Sequence, residues 1–256
     1  MQRTVRIPTA AGTADAYLVK PEGDGPFPGV LMFMDAFGLR PRLGEMAARI
    51  AERGYAVLVP NLFYRDARSP LVDPDELTDS AKRGAAFGRL LPMIQGLTAG
   101  RIAADTGSYL DFLGAQEGVA PGPVAIVGYC MGGTNALRAI EAHPDRIAAL
   151  ASFHAGRLAT DQPDSPHLAV GAIAGEVYFG HADRDQSMTP EQIKALEAAL
   201  EEAGVTYTSE IYAGAQHGYT MSDTSMYDAD AEQRHWINLF ALLDRALPTV
   251  PGGYCS

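Results

Sequence analysis

Two runs, V-L-M-F-M at Val30–Met34 and V-A-I-V at Val124–Val127, are apolar at every position. A strand with one wet face alternates polar and apolar residues; a strand without alternation has to be covered on both faces, as in a parallel sheet between layers of helices. Further β-rich runs lie at Thr4–Ile7, Ala16–Val19, Ala56–Val59, Ala148–Phe153, Glu176–Phe179 and Tyr207–Tyr212. Between them Leu43–Arg53, Arg101–Leu113, Gly132–Glu141, Pro190–Ala203 and Asp228–Leu247 have helical spacing. The first stops at Gly54 and the fourth carries Pro190 in its first turn. Two strands followed by strand–helix units predict an α/β chain: a mostly parallel central sheet of about eight strands, flanked by helices, with an N-terminal antiparallel hairpin.

A chain of 256 residues is expected to form one such unit over 1–256. Residues 62–100 read as a lid-like insertion, rich in Pro and Asp at first and helical over Ala81–Leu91. The net charge of −11 argues against a nucleic-acid partner, which needs clustered Lys and Arg. With no signal peptide pattern and no apolar stretch of 18 residues, neither secretion nor a membrane is expected. Two cysteines, Cys130 and Cys255, do not form a disulfide framework, and a reducing cytoplasm fits them. The expected partner is a small molecule, with the chain a monomer or homodimer.

Directly after Val124–Val127 comes G-Y-C-M-G-G, Gly128–Gly133, and then a helix. This is the strand–turn–helix setting of a nucleophile elbow, with Cys130 in the nucleophile position. Glycines on either side let strand and helix close up around a strained central residue. A thiol at a helix N-terminus meets unpaired N–H groups that favour the thiolate. Most free cysteines are small core residues, but flanking glycines after a central strand point to chemistry.

A base and an orienting acid are then expected in the order nucleophile, Asp or Glu, His. Asp183, in F-G-H-A-D-R-D, follows the strand Glu176–Phe179, and His217, in A-G-A-Q-H-G-Y, follows Tyr207–Tyr212. Asp185 competes with Asp183 for the acid role. His154 ends the strand Ala148–Phe153 and is a candidate pocket residue, with Phe37, Tyr129 and Met221. His143 and His167 read as loop or helix-end residues, and His235 as lying on the surface or edge of the last helix. His181, Asp183 and Asp185 alternate within one loop without a distant partner, so no metal site is expected. The backbone N–H groups of Ala36 and Met131 are the candidate oxyanion donors. Asp35, just before Ala36, either caps a turn or faces the thiol as an acid.

In these pieces the chain resembles the dienelactone hydrolase family of the α/β-hydrolase fold: D-A-F-G at Asp35–Gly38, R-G-Y-A-V-L-V-P-N-L-F at Arg53–Phe63, G-Y-C-M-G-G, G-H-A-D ending at Asp183, and A-Q-H-G ending at Gly218. The resemblance implies a Cys–His–Asp triad of Cys130, His217 and Asp183, hydrolysis of an ester or lactone through an acyl-thioester, and no cofactor. Departures accompany it. The family's Glu before the oxyanion donor is Asp35 here. Of its two substrate-anchoring arginines, one position holds Met221 and the other falls close to Ser80, with Arg83 nearby. A thioesterase or other acyl hydrolase is the nearest alternative. A non-catalytic ligand-binding or thiol-based redox-sensing protein is the alternative of another class.

Overall fold

The computed structural model describes residues 1–247, so Cys255 lies outside the described residues. Eight strands form one sheet in the order β1-β2-β4-β3-β5-β6-β7-β8. They are β1 Gln2–Thr9, β2 Gly12–Val19, β3 Gly29–Phe33, β4 Ala56–Pro60, β5 Val124–Tyr129, β6 Ile147–Phe153, β7 Glu176–Arg184 and β8 Tyr207–Gln216. β1 and β2 form the antiparallel hairpin, with Thr9 opposite Gly12, and β2 joins β4 antiparallel. From β4 onward all neighbours are parallel. β3 and β5, the strands built from the apolar runs, are buried at every residue. This is the mostly parallel sheet between helices that the two runs imply, and the α/β-hydrolase architecture that the resemblance implies.

Among the described residues there are seven α-helices: α1 Pro41–Ala51, α2 Pro74–Thr78, α3 Ser80–Gly96, α4 Ala99–Gly114, α5 Met131–Ala142, α6 Pro190–Ala203 and α7 Ala229–Ala246. α1 buries Leu43, Met46, Ala47 and Ile50, the i, i+3, i+4, i+7 stripe of a helix lying on a core. α6 starts on a Thr189–Gln192 capping box with Pro190 in its first turn and stops at left-handed Gly204. α7 turns Glu232, His235, Trp236, Leu239, Leu242 and Leu243 inward. The expectation that His235 sits at the surface is therefore wrong. Its spacing of four from Leu239 and seven from Leu242 places it on the core-facing stripe, where it is fully buried. α2 and α3 fall within residues 62–100 and pack around a small apolar cluster of Val72, Leu77, Ala86 and Leu90. No described helix is long and apolar enough to cross a membrane.

Candidate active site

Cys130 is the single residue between β5 and α5, held at φ 55°, ψ −123°. The turn is too tight for side chains on either flank. A Cβ on Gly128 would lie 2.2 Å from the Gly132 carbonyl oxygen, and one on Gly132 would lie 2.3 Å from the Met34 oxygen. Glycine at both positions is what lets α5 rise directly above β3 and β5. Met131 opens α5, so its N–H precedes the first intrahelical bond. Ala36 sits beside Cys130 in the wall of the same cavity.

His217 follows the end of β8, and its Nε2 lies 2.9 Å from Cys130 Sγ. Its Nδ1 lies 2.6 Å from Asp185 Oδ2, not from Asp183. The reason is strand length. β7 runs five residues past Phe179, through a bulge after Ala182, and still pairs Arg184 with Gln216. Asp183 is thus a residue of the sheet, exposed, and its carboxylate accepts the Gly214 N–H at 2.8 Å. Asp185 is the first residue beyond the strand and reaches the site, its side chain only 3% exposed. Ser187, which the sequence reading overlooked, donates its N–H and hydroxyl to Asp185 Oδ1 at 2.8 and 2.6 Å and steadies the carboxylate. The D-x-S spacing of an Asx turn was the available signal.

The electrostatics agree with this pairing. Burial opposes charge on His217, but the neighbouring Cys130 and Asp185 outweigh it and raise its pKa well above the usual imidazole range. Burial likewise opposes charge on Asp185, yet hydrogen bonds from His217 and Ser187 bring its pKa below the usual carboxylate value.

Asp35 takes the turn-capping alternative and is engaged away from the thiol. Its Oδ1 accepts the Phe37 N–H at 3.0 Å, and both oxygens are held by Arg40, at 2.7 and 2.9 Å. The same guanidinium holds Asp223 at 2.5 and 3.2 Å. Arg40, another residue the sequence reading missed, thereby ties the loop after β3 to the loop after His217. Both Asp35 and Arg40 are almost fully buried.

Two cavities meet at Cys130 and His217. The smaller, about 310 Å³, is lined by Asp35, Phe37, Arg83, His154 and Met221 among others. Three of the four residues expected in the pocket, Phe37, His154 and Met221, lie there. Tyr129 does not. It points into the core, hydrogen-bonded to His235 Nε2 at 3.0 Å and stacked on Phe153. Its position one before the nucleophile alternates it to the face under α7. His154 is fully buried, with Nε2 2.7 Å from Thr220 Oγ1 and its ring edge-on to that of His217. Burial, with His217 and His235 nearby, drives its pKa far down and keeps it neutral. Arg83 enters from α3, donating to Ser225 Oγ at 2.5 Å and to the Leu77 carbonyl at 3.1 Å. His143 and His167 bind elsewhere, to the Ala103 carbonyl and to Ser165. His181 is buried on β7 against Ser209. Among the described residues no group of three or more His, Cys, Asp or Glu could hold a metal ion.

Comparison with known proteins identifies the family. The family model described as Dienelactone hydrolase family matches residues 14–247. A carboxymethylenebutenolidase of Rhodococcus opacus is 28% identical over 192 residues, 74% of this chain and 69% of that protein. Among solved structures, m3DLH is 28% identical with a TM-score of 0.78, covering 96% of this chain and 98% of the other. A dienelactone hydrolase-like promiscuous phosphotriesterase from metagenomic libraries is 25% identical with a TM-score of 0.79 and the same coverage.

Proposed function

This chain belongs to the dienelactone hydrolase family, and we propose that it cleaves a small ester or lactone with Cys130 as nucleophile, His217 as base and Asp185 as the acid that orients it. The observation that carries the reading is the unbroken line of contacts Cys130–His217–Asp185, with Nε2 toward the thiol and Nδ1 toward the carboxylate. That order is what general-base activation of a nucleophile requires.

In the proposed reaction the Cys130 thiol proton passes to His217 Nε2 as Sγ bonds to the substrate carbonyl carbon, whose C=O π bond opens to an oxyanion between the N–H groups of Met131 and Ala36. Collapse breaks the bond to the leaving oxygen, which takes its proton from His217 Nε2. Water then attacks the acyl-thioester as His217 accepts its proton, and the acid product leaves with the thiol restored. No group in this sequence calls for a cofactor. The Rhodococcus relative is named for a butenolide substrate, which makes lactones the first class to try. A phosphotriester belongs in the same panel because of the metagenomic neighbour.

The test is intact-mass spectrometry of the protein quenched during turnover of p-nitrophenyl acetate. A mass gain of one acetyl group, mapped to Cys130 and absent in Cys130→Ala, is expected. Turnover that survives Cys130→Ala rejects the assignment.

A further inference from the structure

A cavity of about 310 Å³ is enough for a compact lactone. Yet Cys130 and His217 also open onto a second cavity of about 790 Å³, with Phe87 and Met226 forming a wall common to both. One part of the larger cavity is apolar, built from Phe87, Leu91, Ile94 and Leu97 at and after the C-terminal half of α3. Phe87 and Leu91 are 42% and 38% exposed, so they present open apolar surface beside the nucleophile.

The charged part is asymmetric. Arg138, Arg157 and Arg184 line it together with Asp164 and Asp185. Both carboxylates are engaged, Asp164 with Arg138 at 3.7 Å and Asp185 with His217. Among the described residues no carboxylate lies within 4.0 Å of the Arg157 or Arg184 guanidinium. Asp161 and Glu191 line the open bay that shares Arg157 with this cavity, and Asp183, next to Arg184 in the chain, is engaged by the Gly214 N–H. In a chain of net charge −11, two solvent-exposed arginines without a carboxylate partner thus stand on the rim of this cavity.

The backbone singles out one of them. Among the described residues only Cys130, His154 and Arg157 combine a side chain with positive φ, at 55°, 40° and 56°. All three line the cavities at the reaction centre. Such strain persists only where the surroundings enforce it. Here the Arg157 N–H donates to the Ser187 carbonyl at 2.7 Å, fastening the residue to the loop that carries Asp185. On the other side Thr134 Oγ1 donates to the Gly156 carbonyl at 2.7 Å, fixing the same segment to α5.

We propose that the larger cavity selects substrates with one long arm, apolar next to the scissile bond and ending in a carboxylate held by Arg157 with Arg184. A planar guanidinium suits a carboxylate in two parallel hydrogen bonds. The anion then sits in the cavity away from Arg83 and Met221, the neighbourhood in which the family resemblance would anchor it. This inference rests on Cys130 being the nucleophile, and the experiment separates the two.

Hydrolysis of p-nitrophenyl octanoate is compared with that of the mono-p-nitrophenyl ester of octanedioic acid, and octyl acetate with the acetyl ester of ω-hydroxyoctanoic acid. The carboxylate-ended ester of one pair is expected to have about tenfold higher kcat/KM than its uncharged counterpart, through KM, with the advantage shrinking at high salt. Arg157→Gln is expected to bring that ratio close to one, and Arg157→Lys to restore part of it. A ratio of one or below in both pairs, or a ratio unchanged in the Arg157→Gln/Arg184→Gln double variant, overturns the proposal. If none of the esters is cleaved, the nucleophile reading fails. Calorimetric binding of octanedioate to the wild type and to Arg157→Gln then decides the cavity alone: weaker binding by the variant supports it, and equal or absent binding overturns it.

Discussion

Asp185 Oδ2 stands 2.6 Å from His217 Nδ1, while the carboxylate of Asp183, two residues earlier, is occupied by the Gly214 N–H. The pairing decides which of two nearly adjacent acids orients the histidine. It also separates their expected phenotypes.

Asp185→Asn is expected to lower kcat on the order of a hundredfold or more, because the amide no longer fixes the tautomer with its free Nε2 toward the thiol. Asp183→Asn keeps an amide oxygen able to accept the exposed Gly214 N–H and is expected to leave kcat within about threefold. Steady-state kinetics on one activated ester compares them. Equal losses in both variants would contradict the assignment of Asp185.

His235→Ala should reveal itself in stability, not chemistry. The side chain is fully buried against Tyr129, Phe153 and Trp236, and its loss leaves a cavity and an unpaired tyrosine hydroxyl. A loss of about 2–4 kcal/mol is expected. Urea denaturation measures it, and a shift below half a kcal/mol, roughly the scatter of surface substitutions, would mean that the residue carries no packing role.

Much of the architecture was legible because it is written in periodicity. All eight strands were placed by β-rich runs, two of them wholly apolar, and α6 by its helical spacing and Pro190. The elbow was equally clear, since its glycines answer a local steric demand at Gly128 and Gly132. What escaped depended on where elements end. β7 continues past Phe179, through an irregularity at the polar Asp183, to Arg184, which still pairs with Gln216 on β8. Arg40 and Asp223 are 183 residues apart, so no spacing rule announces their contact. His235 was misplaced because its polarity was weighed above its register on α7.

Arg40→Met is expected to destabilise the protein by about 3–5 kcal/mol, since it strands the buried Asp35 carboxylate without its guanidinium. Arg40→Lys should recover little, because one ammonium cannot grip Asp35 and Asp223 as the fork does. Chemical denaturation of both variants checks this. Full rescue by lysine would reduce the interaction to simple charge.

Acid should weaken the fold before most carboxylates titrate. Burial lowers the pKa of His235 to about 3 and of His181 to about 4, and drives His154 far down. These residues stay neutral in the folded chain but take up protons when it unfolds. Their contribution is therefore complete above the unfolded imidazole value of about 6.5 and is lost as pH falls toward the folded values, at about 1.4 kcal/mol per pH unit for each histidine. Below about pH 4 the lowered pKa of Asp185 adds loss in the same direction. Thermal midpoints measured from pH 7.5 down to pH 4.5 test the first part, and a flat profile over that range would refute it.

The overrun of β7 has a consequence for how this chain tolerates insertions and deletions. Side chains alternate along a strand, so removing one residue between Gly180 and Arg184 would swing Asp185 to the opposite face of the sheet and out of reach of His217. The strand works as a ruler that ends one residue short of Asp185. Along these few residues the count itself sets which side chain meets His217.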